Sequence, residues 1–230
     1  MDLTAPGGRG PRVIVFGRQG SGKGTQCALL SSWLGIPHLS TGDLFRQEVA
    51  EDTALGSRVR ACLESGALVP DDVVLDVVIK RLRHAAGYVL DGFPRTLEQT
   101  STFFEALDRP ADAAIELYAP NDVVLPRLAA RRVCRTCGDV TTAAEDDPPE
   151  RACTNCGGVV AQREDDTHEA IRRRLAHWDE QAGPLLRWFH SRGLLDTIGA
   201  VGDVDVVHRR VVAALRERLP AVAMFDAATG

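Results

Sequence analysis

Lysine is almost missing from this sequence. Only Lys23 and Lys80 occur, so arginine carries nearly all of the 27 positive side chains, set against 32 acidic ones. The net charge of −5 excludes a generally basic surface of the kind that binds nucleic acid, and leaves local basic clusters open. Long apolar runs are missing too: no stretch approaches the roughly 18 residues needed to span a membrane. Met1 to Gly8 carries no basic segment followed by an apolar one, so neither a membrane anchor nor export is expected, and the location expected is cytoplasmic. With 44% hydrophobic and 26% charged residues, the 230-residue chain is too apolar for disorder. Its length suits one α/β domain with insertions, or two small domains.

Arg12 to Phe16 is a short apolar run that stops at Gly17. A glycine-rich turn follows, and then Cys27, Leu30 and Leu34 at helical spacing until Gly35 and Pro37. Further apolar runs at Ile36 to Leu39, Tyr88 to Leu90, Ala113 to Leu117 and Leu194 to Ile198 read as buried strands with helical patterns between most of them. This alternation predicts a parallel sheet covered by helices on both faces. Pro70-Asp71-Asp72 opens a helix to about Leu82, and Thr96 caps another to about Leu107. The last ten residues, Ala221 to Gly230, have the composition of a frayed tail.

Gly17-Arg-Gln-Gly20-Ser21-Gly22-Lys23-Gly24-Thr25 lies between the first strand and helix, with the spacing of a phosphate loop. Glycines let several backbone N–H groups face one concavity, the helix N-terminus adds partial positive charge, and Lys23 reaches terminal phosphates. Such a loop binds a nucleoside triphosphate. Thr25 stands one residue beyond the usual hydroxyl position, as in Gly-Lys-Gly-Thr nucleotide kinases.

Four of the six cysteines form Cys134-x-x-Cys137-Gly and Cys153-x-x-Cys156-Gly, with fifteen residues between the pairs. In an unexported chain this pattern favours a closed tetrahedral zinc site of four thiolates, structural in type, with free thiols or a redox pair as the alternatives. The intervening stretch, Gly138 to Arg151, has almost no large apolar side chain. Metal binding would supply the folding energy that a core cannot.

Taken together, these segments resemble the adenylate kinase family. The resemblance runs through Gly17 to Gln26, with Gln19 where proline is usual, then Leu39-Ser-Thr41-Gly-Asp43-Leu-Phe-Arg46 and Gly66 to Asp71. It continues through Gly87-Tyr-Val-Leu-Asp91-Gly92-Phe93-Pro94-Arg95-Thr96-Leu-Glu-Gln99, and covers about Arg12 to Leu215. It implies a P-loop NTPase-type parallel sheet flanked by helices: a core of residues 1–39, 70–129 and 167–230, an AMP-binding insertion at 40–69, and a zinc-containing lid at 130–166. It further implies Mg·ATP + AMP ⇌ 2 ADP in a monomer.

By that resemblance Gly20, Ser21, Gly22, Lys23, Gly24 and Thr25 hold ATP, together with Arg127, Arg131, Val140, Thr141 and, near the final strand-to-helix turn, Gly202. Thr41, Arg46, Ala67, Leu68, Val69, Gly92, Phe93, Pro94, Arg95 and Gln99 hold AMP, with Arg163 and Arg174 clamping phosphates when the lid closes. Lys23, Arg95, Arg131, Arg163 and Arg174 carry the transfer, and Asp91 holds the Mg2+ shell through water. Cys134, Cys137, Cys153 and Cys156 hold zinc. Arg163-Glu-Asp165-Asp166 resembles the family's hinge, whose acids pair with lid arginines. A kinase for UMP, CMP or GMP and a silent nucleotide or zinc sensor are the rival readings. No catalytic role falls to the histidines.

Overall fold

The alternating apolar runs assemble into a five-stranded, wholly parallel sheet in the order β2-β3-β1-β4-β9 in the computed structural model, which describes residues 10–144, 146–220 and 222. Its strands are β1 (Arg12–Phe16), β2 (His38–Ser40), β3 (Tyr88–Asp91), β4 (Ala113–Tyr118) and β9 (Leu195–Gly199). The helices are α1 (Lys23–Leu34), α2 (Thr41–Ala50), α3 (Ala54–Ser65), α4 (Asp71–Leu82), α5 (Leu97–Ala106), α6 (Asn121–Ala130), α7 (His168–Ser191) and α8 (Val204–Arg218). The strand period of two divides the apolar side chains between the faces. Ile14, Phe16, Tyr88, Leu90 and Ala114 join the cluster covered by α2, α3, α4, α5 and α7. Val13, Val15, Val89, Ile115 and Leu117 join the one covered by α1 and α8. Truncating a fully buried member such as Leu30 to alanine should cost about 2–5 kcal/mol.

Capping follows the sequence signals. The Thr96 hydroxyl accepts from Gln99 N–H to start α5, and the Ser40 and Thr167 hydroxyls do the same for α2 and α7. The first helix differs, because its N-cap is Gly22, in the left-handed conformation, with no side chain to bond the first amides. The second strand begins two residues later than its apolar run, since the Ile36 N–H is taken by the Ser31 carbonyl that closes α1.

Between α6 and α7 lies a separate antiparallel sheet, β6-β5-β8-β7, built from β5 (Arg131–Cys134), β6 (Val140–Thr142), β7 (Arg151–Ala152) and β8 (Val159–Ala161). The apparently featureless stretch after Gly138 therefore contains a strand. Pairing of Val140 with Val133 and of Thr142 with Arg131 forms it, rather than apolar periodicity. Its buried cluster is only Cys134, Cys153 and Val160 among the described residues. Met1 to Gly8 lies outside the described residues. So does Ala221 to Gly230 apart from Val222, which is buried against the core where a frayed tail was expected.

Candidate active site

A cavity of about 560 Å3 opens beyond the carboxyl ends of β1 and β3. This is the crevice where ligands bind in open parallel sheets. From β1 the chain turns through Gly17, Gly20 and Gly22, all at positive φ. A Cβ on Gly17 would lie 2.6 Å from the Leu117 carbonyl oxygen, and one on Gly20 2.9 Å from that of Val124, so only glycine fits. The loop thus runs straight into the uncapped amides of α1, the partial positive charge that an anion needs. Its lysine folds back over it. Lys23 Nζ donates to the carbonyl oxygens of Gly17 at 2.8 Å and Arg18 at 3.0 Å. Burial pulls its ammonium below the usual lysine value, with Asp91 pulling the other way. Ser21 Oγ is buried with no hydrogen-bond partner.

At the end of β3, the Thr41 hydroxyl donates to the Gly92 carbonyl at 3.0 Å, and Arg95 Nε donates to the same oxygen at 2.7 Å. The Phe93–Pro94 peptide bond is cis. Gln99 is fixed at both ends, its Oε1 accepting from Arg95 N–H at 2.8 Å and its Nε2 donating to Asp71 at 2.6 Å. A primary amide keeps one N–H and one lone pair beyond these two bonds, so Gln99, which lines the cavity, can still read a base edge. Burial draws the Arg95 guanidinium down to about 10, so it stays charged at neutral pH. Asp91 lines the same cavity, and no described residue donates a hydrogen bond to its carboxylate.

Arginines from four elements meet two acids at the start of α7. Asp166, whose side chain is fully buried, accepts from Arg131 at 2.8 Å (Nε) and 2.6 Å (Nη2), from Arg174 at 3.4 Å and from Gln19 Nε2 at 3.1 Å. Asp165 takes Arg163 at 3.1 Å, Arg174 at 2.7 Å and Arg46 at 3.5 Å, while Arg46 also pairs with Asp43. Burial would raise the Asp165 pKa, but the charge of Arg163, then of Arg46 and Arg174, holds it far below the usual carboxylate range. Burial also lowers Arg131 and Arg46, each with Arg163 as the repelling neighbour. Counting Lys23 and Arg95, six cations face four carboxylates, an excess suited to a polyanion.

Most of the residues singled out from the sequence line this cavity, including Ala67, Leu68, Val69, Val140, Thr141 and Gly202. Phe93 does not. It is fully buried, edge-on to Phe103, and holds the cavity wall from behind. Arg127 donates to the carbonyls of Ala200 at 3.0 Å and Gly202 at 3.4 Å, bracing the turn before α8. Among the lining residues that the sequence reading did not assign to the site are His177, Trp178 and Gln181. Trp178 and Gln181 fall at helical spacing after Arg174, and that spacing on a helix already bearing a phosphate candidate was the available signal.

In the antiparallel sheet, Cys134 Sγ stands 3.5 Å from Cys156 Sγ, and Cys137 Sγ 3.7 Å from Cys153 Sγ. All four sulfurs lie within 4.8 Å of one another. Tetrahedral zinc with bonds of about 2.3 Å sets sulfurs about 3.8 Å apart, so the donors fit it without rearrangement. None of the four is in a disulfide. The Gly158 N–H donates to Cys156 Sγ at 3.4 Å, an amide that suits a thiolate.

The family model for adenylate kinase matches residues 15–194. The chain is 42% identical to an adenylate kinase of Syntrophotalea carbinolica over 211 residues, covering 89% of this chain and 98% of that protein. It is 41% identical to one from Acidothermus cellulolyticus and 39% to one from Streptomyces coelicolor, again over 89% of this chain and 98% of each relative.

Proposed function

The chain belongs to the adenylate kinase family and catalyses Mg·ATP + AMP ⇌ 2 ADP, and on that premise we propose which of its residues hold the two nucleotides and carry the transfer. The triphosphate lies on Gly20 to Thr25, with Arg127, Val140, Thr141 and Gly202 along its nucleoside end. AMP lies against Thr41, Arg46, Ala67 to Val69, Gly92, Pro94, Arg95 and Gln99, with Phe93 backing the wall from the core. The insertion at residues 40–69 and the lid at 130–166 close over a core of 1–39, 70–129 and 167–230. The observation that carries this reading is the convergence of Lys23, Arg95, Arg131, Arg163 and Arg174 on one cavity beside a glycine loop with free helix amides.

In the reaction a phosphate oxygen of AMP bonds to the γ-phosphorus of ATP, and the bond from that phosphorus to the β,γ-bridging oxygen breaks, leaving ADP on each side. No side chain need act as a strong base. Positioning and charge neutralisation supply most of the acceleration. Lys23 sits where its ammonium can pass from the Gly17 and Arg18 carbonyls to the transferring phosphate. Asp165 and Asp166 keep the arginines oriented until phosphates take over part of their hydrogen bonding. Closure of the lid then keeps water from the γ-phosphate. Asp91, whose unbonded carboxylate suits a hard, hydrated cation, would hold through water the Mg2+ of Mg·ATP, and that ion would supply charge neutralisation at the phosphates.

Zinc on Cys134, Cys137, Cys153 and Cys156 is structural, supported by the sulfur spacing. The protein works as a cytoplasmic monomer without nucleic-acid partners, in keeping with its acidic balance; among the described residues no helix is long and apolar enough to cross a membrane. ADP formation from Mg·ATP with AMP, UMP, CMP or GMP, measured on the parent and on Lys23→Ala, tests the reading. Turnover with AMP alone, lowered about 100- to 1,000-fold by the substitution, is expected. Equal rates on the four monophosphates, or an active Lys23→Ala protein, would refute it.

A further inference from the structure

Behind the phosphate loop, side chains from three elements converge on one point. Cys27 lies in the second turn of α1, His38 opens β2 and Asp91 ends β3. The parallel register sets His38 opposite Val89 and Ser40 opposite Asp91, so the imidazole and the carboxylate stand on adjacent strands, with α1 packed over both. One donor atom from each of the three lies within 4.8 Å of the other two. His38 Nε2 is buried without a hydrogen-bond partner, 3.9 Å from Asp91 Oδ2, and the Cys27 thiol is fully buried and free.

An unpartnered buried donor or acceptor costs about 1–3 kcal/mol. Here such a nitrogen faces a carboxylate that no described residue bonds. Nothing in the phosphoryl transfer uses Cys27 or His38. Nitrogen, sulfur and oxygen donors in one small space make a poor magnesium site, because Mg2+ takes oxygen ligands and keeps its waters. They are the mixed set that Zn2+ and Co2+ accept, with a fourth position left for water. Tetrahedral coordination sets a nitrogen and an oxygen donor about 3.4 Å apart, so the 3.9 Å between His38 and Asp91 must close by about half an ångström, and no pair among the three donors, all within 4.8 Å, by more than about 1.5 Å.

We propose that Cys27, His38 and Asp91 form a site for a thiophilic divalent cation such as Zn2+ or Co2+, separate from the four-cysteine cluster, and that its occupation inhibits phosphoryl transfer by withdrawing Asp91. Binding forms a metal–sulfur bond, a metal–nitrogen bond and a metal–oxygen bond. The thiol proton leaves to solvent, and no oxidation state changes. Thiolate and carboxylate together balance the dication. Of the three residues Asp91 alone lines the cavity, so a cation entering from there meets its carboxylate first. Binding itself is independent of the proposed nucleotide sites, whereas the inhibition rests on the role given to Asp91 there.

The test is a CoCl2 titration of the full-length protein beside Cys27→Ala and His38→Gln, reading equivalents bound and sulfur-to-cobalt charge-transfer absorption. The four-cysteine cluster is common to all three proteins, so it cancels from the difference whatever metal it holds. The parent is expected to bind one more Co2+ than either variant, with absorption from one further thiolate. Zn2+ should inhibit the parent at fixed Mg·ATP, and each variant should need about 10- to 100-fold more of it, at least the loss seen when a mere supporting residue of a metal site is removed. Equal uptake by parent and both variants would overturn the site, and equal inhibition would overturn its link to activity. Circular dichroism confirms that the variants are folded. His38→Gln keeps the test usable if the fully buried Cys27 position tolerates no change, because its side chain is 20% exposed.

Discussion

The parallel sheet and the small antiparallel sheet solve the same folding problem in opposite ways. The first buries apolar side chains on both faces, in clusters that run from β1 out to α7 and α8. The second has Cys134, Cys153 and Val160 as its buried cluster and exposes Val140 and Val159. Area removed from water stabilises the one. The other brings four sulfurs to tetrahedral spacing, where a bound metal would supply stability that its small apolar cluster does not. The small sheet has little apolar core of its own, and the ion pairs of Arg131 with Asp166 and of Arg174 with Asp165 and Asp166 stand at its base.

The largest effect should come from Lys23→Ala, which breaks chemistry without touching either source of stability. Turnover in a coupled ADP assay should fall about 100- to 1,000-fold while the melting temperature stays near the parent's, since Lys23 bonds only two loop carbonyls. Asp166→Asn acts at the join between the sheets. Its carboxylate is fully buried under Arg131, Arg174 and Gln19, so removing the charge should cost about 3–5 kcal/mol in denaturant unfolding and weaken AMP and ATP saturation together.

Acid should sharpen the contrast. Asp165 has its folded pKa depressed, so its contribution to stability is present above the ordinary carboxylate value of about 4 and is lost as pH falls below it toward the folded value. Asp165→Asn should therefore flatten the acid limb of the melting temperature profile and leave the neutral-to-alkaline part parallel to the parent's. The smallest effect belongs to Val140→Ala, at a half-exposed lid position. Stability should move by no more than about 0.5 kcal/mol, and a larger loss would mean that the lid has an apolar contribution the described contacts lack.

The core was legible in the sequence because its signals are local. Apolar runs, the glycine turn, the Thr96 cap and the helix after Pro70 each lie within a few residues of what they specify. The lid strands were not, because β6 and β7 are specified by pairing with β5 and β8 rather than by their own side chains. The two cysteine pairs showed a metal-type cluster, since the spacing of a knuckle is itself local. Arginine partners lay out of reach of sequence spacing. Arg46 meets Asp165 across 119 residues and Gln19 meets Asp166 across 147, contacts that exist only after the loop, insertion and lid have packed. Gln19 shows this best: the sequence marked it as a departure from the usual proline, while the structure gives it a hydrogen bond to Asp166.

The contrast between the two sheets can be tested most directly by hydrogen exchange on protein purified without chelator, before and after a thiolate-competing chelator removes the ion bound to the four cysteines. Zinc is expected in the starting protein and, on its removal, loss of amide protection across residues 131–161 with β1, β3 and β4 unchanged. Protein that carries no zinc, or a lid that keeps its protection once the metal is gone, would contradict that expectation.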